Sequence, residues 1–351
     1  MPALVYQSFA HTDRGLACDD VSIESIVERA GTPLYIYSAD TIRSSYRAID
    51  EAFAPYPHAI HYALKANSTL AIVKLLRSLG SRVDANSGGE IAVARRAGFA
   101  PGDIVFTGVG KSRDELAGAI ADGIGVINAE SAGELDRIAQ IASSQGRQAR
   151  VAIRVNPDID AGSHPNISTG LKINKFGVAL QDAPGIYRDR RHVSSLKLVG
   201  VHVHIGSQIT TAEPLRNAAR TLADLAIQLQ ADGIPLEHVD VGGGLGIPYE
   251  RRPMITPADY AAAVIPELRR TGVPLVLEPG RSVVGRSGAL QFGDHRRRVL
   301  GWGNHRPPLV GNAQPPADID MLERNAVVSQ LDGQVRQGPR GMPQRIRRRN
   351  L

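Results

Sequence analysis

Lys65 sits inside His61-Tyr-Ala-Leu-Lys-Ala-Asn67, at the end of an apolar, β-prone run from Ala59 to Leu64. Ser68 reads as an N-cap and Thr69 to Ser78 as a helical run, so the amine is expected at the carboxyl end of a strand. A lysine in a partly desolvated mouth loses its proton more easily and forms a Schiff base with a carbonyl. A surface lysine that only caps a strand has the same local sequence, so Lys65 alone decides nothing. What decides is how many other strand ends carry chemical groups.

Several do. Asp84 precedes Ser87-Gly-Gly-Glu90, Thr107 opens Thr107-Gly-Val-Gly-Lys111, and Arg154 opens Arg154-Val-Asn-Pro157. His202 and His204 alternate along a strand and share a face. They read as a metal pair, as a buried histidine stacked flat on an aromatic ligand with His204 nearer the mouth, or, for His202, as a hydrogen-bonded core residue. No third metal ligand stands near them in the sequence, and no metal is assigned. Gly242, Gly243 and Gly244 expose consecutive N–H groups and permit positive φ, which suits a phosphate and equally a tight βα turn. Ser207 adds a hydroxyl from the neighbouring loop. Glu278 closes the apolar strand Pro274-Leu-Val-Leu277, where a carboxylate needs a partner. A protonated pyridine nitrogen would serve, and so would an internal ion pair with Arg281. Arg281 also has the planar fork that grips a carboxylate.

Such residues need a scaffold that gathers strand ends. Strands are expected at 59–64, 82–85, 104–107, 124–127, 150–155, 197–204, 237–241 and 274–278. Helices fit between them at 69–79, 88–97, 112–121, 131–143, 178–190, 214–231 and 257–270. Eight strands alternating with helices is the rhythm of an α/β, TIM-like (β/α)₈ barrel, whose strand ends converge on one rim. A doubly wound open sheet is the alternative, but its Gly-rich dinucleotide turn is absent after the first strand. Ahead of the barrel come a helix at 22–30, a strand from Leu34 to Tyr37 and a helix from Ser38 to about Phe53.

Composition narrows the partners. The chain of 351 residues has no apolar run of about 18 residues and no signal-peptide order at its start. A single cysteine, Cys18, suits a cytoplasmic protein. The net charge of +6 is uneven: residues 286–351 hold 12 arginines, no lysine and 5 acidic residues, leaving residues 1–285 at −1. The basic character belongs to the tail, so neither a nucleic-acid nor a membrane partner is expected for the main domain.

Lysine, phosphate cradle, flat-ring neighbour and acid for a ring nitrogen together form the binding kit of pyridoxal 5'-phosphate. Residues from about 30 to 285 resemble the diaminopimelate decarboxylases, a family of barrel-type (fold type III, alanine-racemase-like) pyridoxal-phosphate enzymes. The motifs are Tyr62-Ala-Leu-Lys-Ala-Asn67, Asp84 with Ser87-Gly-Gly-Glu90, Arg154-Val-Asn-Pro157, His164 with Ile167-Ser-Thr-Gly170, and Lys175-Phe-Gly177. Further along come Gly200-Val-His-Val-His-Ile-Gly-Ser-Gln208, Gly242-Gly-Gly244 and Glu278-Pro-Gly-Arg281. The resemblance implies that Lys65 holds the cofactor, His204 stacks on its ring and Glu278 pairs with its nitrogen. It places Asp84 and Arg154 in the cofactor site. It also implies that Ser207, Gly242, Gly243, Gly244 and the Gly280–Arg281 backbone cradle the phosphate, that Pro279 belongs to the cofactor site, and that Arg281 binds a substrate carboxylate as well. The implied reaction takes an amino-acid substrate, meso-2,6-diaminopimelate, to L-lysine and CO₂ in a homodimer. A pyridoxal-phosphate carrier, or another decarboxylase or racemase on the same barrel, is the alternative.

The family's second, mostly β domain is expected to be largely missing. Residues 1–37 would join it, 38–285 form the barrel, and 286–351 read as an irregular Arg/Gly/Pro-rich tail, disordered, out of frame or foreign, with a plain basic tail as the alternative. The family's Cys-Glu-Ser-Gly-Asp motif and its proton-donating cysteine have no match, and Cys18 lies at the wrong end. The expectations are therefore a strand Leu34–Tyr37 with no sheet to join, and impaired turnover.

Overall fold

The computed structural model describes residues 8–13, 15–160, 176–249, 254–291 and 326–330. The chain opens with an antiparallel meander, β1 (Phe9–Thr12), β2 (Gly15–Cys18) and β3 (Val21–Ser22), followed by α1 (Ile23–Ala30). Then come β4 (Leu34–Ser38) and α2 (Ala39–Phe53), whose start is fixed by the Ser38 hydroxyl accepting from the Thr41 N–H.

From there the strand–helix alternation runs as expected. It comprises β5 (His58–Ala63), α3 (Leu70–Ser78), β6 (Arg82–Ala85), α4 (Gly88–Arg96), β7 (Ile104–Phe106), α5 (Arg113–Asp122), β8 (Val126–Ala129) and α6 (Ala132–Ser144). It continues with β9 (Ala149–Asn156), β10 (Val178–Ala179), α7 (Ala183–Arg190), β11 (Leu196–His202), α8 (Ala212–Ala231), β12 (His238–Asp240), α9 (Pro257–Arg269) and β13 (Leu275–Leu277). A short α10 (Arg281–Val284), β14 (Gly288–Gln291) and β15 (Ala326–Gln330) follow.

Strands β5, β6, β7, β8, β9, β11, β12 and β13 pair in parallel, and β13 returns to β5 through Leu277 against Ile60. The sheet therefore closes on itself and has no free edge. Most inward and outward positions are aliphatic, and the buried core is continuous from Tyr37 to Val284. Three successive helices start the same way. Ser87, Ser112 and Ser131 each accept the N–H of a glutamate three residues on, Glu90, Glu115 and Glu134. The glutamates then reach back to the rim, to the N–H groups of Asn86, of Gly88 and Ser112, and of Glu130.

Two expectations change. The helix read at 178–190 is a two-residue strand, β10, pairing with Val155 and Asn156, and then α7, which starts at Ala183 with Pro184 in its first turn. More consequentially, β4 does have a sheet. It is the centre of an antiparallel trio, with β14 on one edge and β15 on the other, Ala289 opposite Ile36 and Val328 opposite Ile36. Leu34 and Ile36 are buried in a small core with Phe9, Cys18, Ile26 and Ala289. Two stretches of the tail read as irregular are thus strands, because an exposed β4 offers unpaired N–H and C=O groups that an extended segment can satisfy. Residues 292–325 and 331–351, on which the out-of-frame reading mostly falls, lie outside the described residues.

Candidate active site

Lys65 follows β5 in a 3₁₀ turn, Leu64–Ala66, and reaches Asp84 on β6, with Nζ 3.6 Å from Oδ2. Its side chain keeps 44% exposure, in line with the partly desolvated mouth expected from sequence, but the easily deprotonated amine expected there is not what the fold provides. Burial alone would lower its pKa, but Asp84 and then Glu278 outweigh that and hold the ammonium above its usual value. Asp84 is fully buried, accepts from Asn86 Nδ2 at 3.1 Å, and leaves Oδ1 without a partner. Burial, reinforced by the nearby Glu278 charge, pushes its carboxyl up to about 6.

Glu278 comes directly after β13 and is 2% exposed. Its Oε2 accepts from His202 Nε2 at 3.3 Å, while Oε1 has no partner. Burial pushes its carboxyl up, but His202 and then Lys65 overcome this and hold it below the ordinary carboxylate range. The expected alternative, an internal Glu278–Arg281 ion pair, is not formed: Arg281 Nη1 donates to Tyr249 Oη at 2.9 Å and Nη2 to Ser207 Oγ. His202 is therefore a partner of the functional acid. A third donor, absent from the sequence neighbourhood, stands there in space. Atoms of His202, Asp240 and Glu278 lie within 4.8 Å of one another.

His204 lies two residues past the end of β11, not on it, and is half-buried. Its Nδ1 accepts the Gly243 N–H at 3.1 Å, which fixes the proton on Nε2 and the plane of the ring. Burial first, then the charges of Lys65 and Arg154, hold its pKa well below the usual value, so the ring is neutral. The glycine turn departs from expectation in one respect. Gly242 N–H goes to Asp240 Oδ1 at 2.8 Å and Gly243 N–H to His204, so neither is free for a phosphate. These two glycines serve by close approach instead. A Cβ on Gly242 would lie 2.3 Å from the Val203 carbonyl oxygen, and one on Gly243 2.3 Å from that of Glu278. Pro279 accepts the Ala63 N–H at 3.1 Å, bringing Gly280 against Ala63 and Ala66 beside the lysine.

Arg154, on β9, is 5% exposed. It donates to Glu130 Oε1 at 2.8 Å and lies over the Phe176 ring at 4.7 Å. Glu130 also accepts the Gly177 N–H at 2.9 Å. Lys111 is enclosed by Glu134, the Asn128 carbonyl and the Gly108 carbonyl. Glu130 and Asp240 are the rim residues that sequence reasoning passed over. Each is the acid just beyond or at a strand end, the same signal that marked Asp84 and Glu278. His164, Thr169 and Lys175 lie outside the described residues.

The arrangement fits pyridoxal phosphate. Glu278 Oε1 is a buried, ionised, unpartnered acceptor, as a protonated ring nitrogen requires. The glycine turn packs its backbone directly on Val203 and Glu278, which brings it beside that acid and His204. Lys65, neutral His204 and Asp84 act electrostatically on one another or on Glu278, which places them on one rim.

The family profile for "Pyridoxal-dependent decarboxylase, pyridoxal binding domain" matches residues 39–285. The diaminopimelate decarboxylase of Pseudomonas aeruginosa is 42% identical over 283 residues, 81% of this chain and 68% of that protein. The one from Neisseria meningitidis serogroup A is 44% identical over 292 residues, covering 81% and 72%. The crystal structure of diaminopimelate decarboxylase from Helicobacter pylori complexed with L-lysine superposes with a TM-score of 0.75 at 44% identity, covering 77% of this chain and 68% of that one. With a closed barrel, a lysine facing an unpartnered carboxylate across its rim and this degree of identity, the chain belongs to the pyridoxal-dependent decarboxylases, in the family of the diaminopimelate decarboxylases.

Proposed function

We propose that this chain decarboxylates meso-2,6-diaminopimelate to L-lysine and CO₂ with pyridoxal 5'-phosphate. The observation that carries the reading is the unpartnered Glu278 Oε1, fully buried on the rim that also presents Lys65 and a neutral His204. When bound, the cofactor supplies a conjugated, protonated ring that can accept the electron pair left as CO₂ departs.

The protein's part follows from its own atoms. Lys65 would hold the cofactor through its carbonyl group, and Asp84, whose Oδ2 lies 3.6 Å from Nζ, fixes the amine on the rim and keeps it charged until then. Glu278, kept as an anion by His202 and Lys65, would hold a proton on the ring nitrogen. His204, held by Gly243, presents a neutral face for the ring to lie on. Gly244 with Ser207 and the Pro279–Arg281 backbone would receive the phosphate, and Gly242 and Gly243 shape the turn around it. Arg281, anchored through Ser207 and Tyr249, supplies the fixed charge for a substrate carboxylate. Arg154, pinned by Glu130, lines the cofactor side of the rim.

The homodimer and the cytoplasmic location expected from the resemblance belong to the same proposal and are read by light scattering and by cell fractionation. Purified chain incubated with the cofactor and reduced with borohydride should carry the modification on Lys65 by mass spectrometry. Lys65→Ala should abolish both the labelling and CO₂ release from meso-diaminopimelate. Arg281→Ala should raise KM for this substrate more than tenfold, since a charge-assisted pair is lost. Labelling elsewhere, or an equal rate on amino acids without a distal carboxylate, would sink the assignment. The absolute rate tests the impaired turnover expected from the tail.

A further inference from the structure

One buried carboxylate on the rim has no part in the chemistry above. Asp240 ends β12, is 1% exposed, and accepts the Gly242 N–H through Oδ1. Titratable groups from three other strands face it: His202 at the end of β11, Glu278 after β13, and Asp84 on β6. Tyr260, buried on α9, faces the same acids with its hydroxyl unpartnered. Two of the three carboxylates have partners of their own, Asp84 with Lys65 and Glu278 with His202. No cation is paired with Asp240 among the described residues. Neighbouring carboxylates walled off from water cannot all be anions, and the one without a cation keeps its proton.

We propose that Asp240 is a positioning residue, a neutral acid that donates a hydrogen bond to Glu278 while accepting from Gly242, so locking the ring-nitrogen carboxylate to the glycine turn. A second link runs in parallel, from the Glu278 N–H to the Gly242 carbonyl at 2.9 Å. Burial and the charge of Glu278 push the Asp240 carboxyl well above its usual range, in keeping with the retained proton. A donor on Glu278 lowers its affinity for a further proton, which leaves that proton on the ring nitrogen opposite. This inference rests on the reading that pyridoxal phosphate occupies the rim.

The test uses the full chain, chelator-treated, with and without added cofactor. Infrared spectra of the cofactor-free chain should show the C=O stretch of a protonated carboxylic acid at neutral pH. The band should vanish in Asp240→Asn and shift in Glu278→Gln, where the acceptor loses its charge; an acid that merely capped Gly242 would give no shift. Asp240→Asn keeps a neutral donor and an acceptor, so it should bind pyridoxal phosphate within about threefold of the parent, whereas Asp240→Ala should bind about tenfold more weakly. A parent spectrum without the band, a band unmoved by Glu278→Gln, or Asp240→Asn as weak as Asp240→Ala overturns the proposal. Failure of the parent chain to bind the cofactor would overturn the functional reading, while the infrared band still decides the state of Asp240.

Discussion

At the scale of single residues, the site is built from groups whose ordinary ionisation is overruled by their surroundings. Asp84 and then Glu278 keep Lys65 charged, His202 and then Lys65 keep Glu278 charged, and burial first, then Lys65 and Arg154, keeps His204 neutral. The sequence marks these three as polar groups at the ends of apolar runs, a pattern that a strand-capping lysine or an ion-paired glutamate shares, and it is their gathering on one rim that sets them apart. Asp240 was not singled out, because it reads as the last residue of a strand ahead of a glycine turn, and only the closed barrel brings it to Glu278. His61 is a different case. It is 5% exposed, both ring nitrogens lack partners, and burial, aided by Arg82, pushes its pKa down to about 3. An imidazole whose folded pKa lies below its unfolded value stabilises the fold fully above the unfolded value of about 6.5 and loses that contribution as pH falls toward 3. At pH 5 the unfolded chain gains a proton that the folded chain refuses, a cost of about 2 kcal/mol. His61→Met should therefore be more stable by about 1–2 kcal/mol at neutral pH and should lose less on acidification, in urea melts at pH 7.5 and pH 5. His238, also pushed down, to about 4, keeps some acid sensitivity in both proteins. Equal slopes for parent and variant would show that His61 does not titrate as a buried base.

At the scale of elements, strand and helix positions were readable where apolar period and a serine cap agree, as at α2, α4, α5 and α6; the cap read at Ser68 falls instead on Thr69, whose side chain makes no cap bond. The misreadings share a cause. The β10–α7 boundary and the position of His204 beyond β11 depend on pairing with other strands, which no local pattern records. The glycine turn shows how narrow the tolerance is where three elements meet. Gly243 is pressed between the Glu278 carbonyl and His204, and Gly242 against the Val203 carbonyl. Backbone atoms cannot rotate aside as a flexible side chain can, so a methyl group here must displace a whole loop. Gly243→Ala is expected to weaken cofactor binding by about tenfold or more, with a loss of roughly 1–3 kcal/mol in stability. Gly133→Ala, a glycine in α6 whose added Cβ meets nothing, is the control and should leave cofactor affinity unchanged. Cofactor titration followed by fluorescence, beside thermal melts, separates the two. A Gly243→Ala protein that binds like its parent would mean the turn is not pressed on Glu278 in solution.

At the scale of the molecule, the barrel closes its own sheet, and the remaining exposed strand problem belongs to β4. Sequence reading put β4 beside nothing, because the residues that pair with it lie about 250 and 290 positions later in a stretch dominated by arginine, glycine and proline. The register is nevertheless regular on both sides, from Gly288 against Tyr37 to Gln291 against Leu34, and from Ala326 against Ser38 to Gln330 against Leu34. β4 leads directly into α2, which packs on α9 and α10, so the small sheet is mechanically joined to the barrel wall. Removing residues 286–351 would strip both neighbours from β4, leaving two rows of unpaired N–H and C=O groups over Leu34 and Ile36. The 1–285 variant should accordingly melt several degrees lower and scatter light in proportion to its concentration, since about 1 kcal/mol shifts a domain of this size by roughly 2–4 °C. Ala289→Pro should lower the melting temperature in the same direction but less, because it deletes one N–H from the β14–β4 ladder and leaves β15 in place. If 1–285 melts with the full chain and stays monodisperse, β4 is held by the barrel alone, and the two late strands contribute nothing to it.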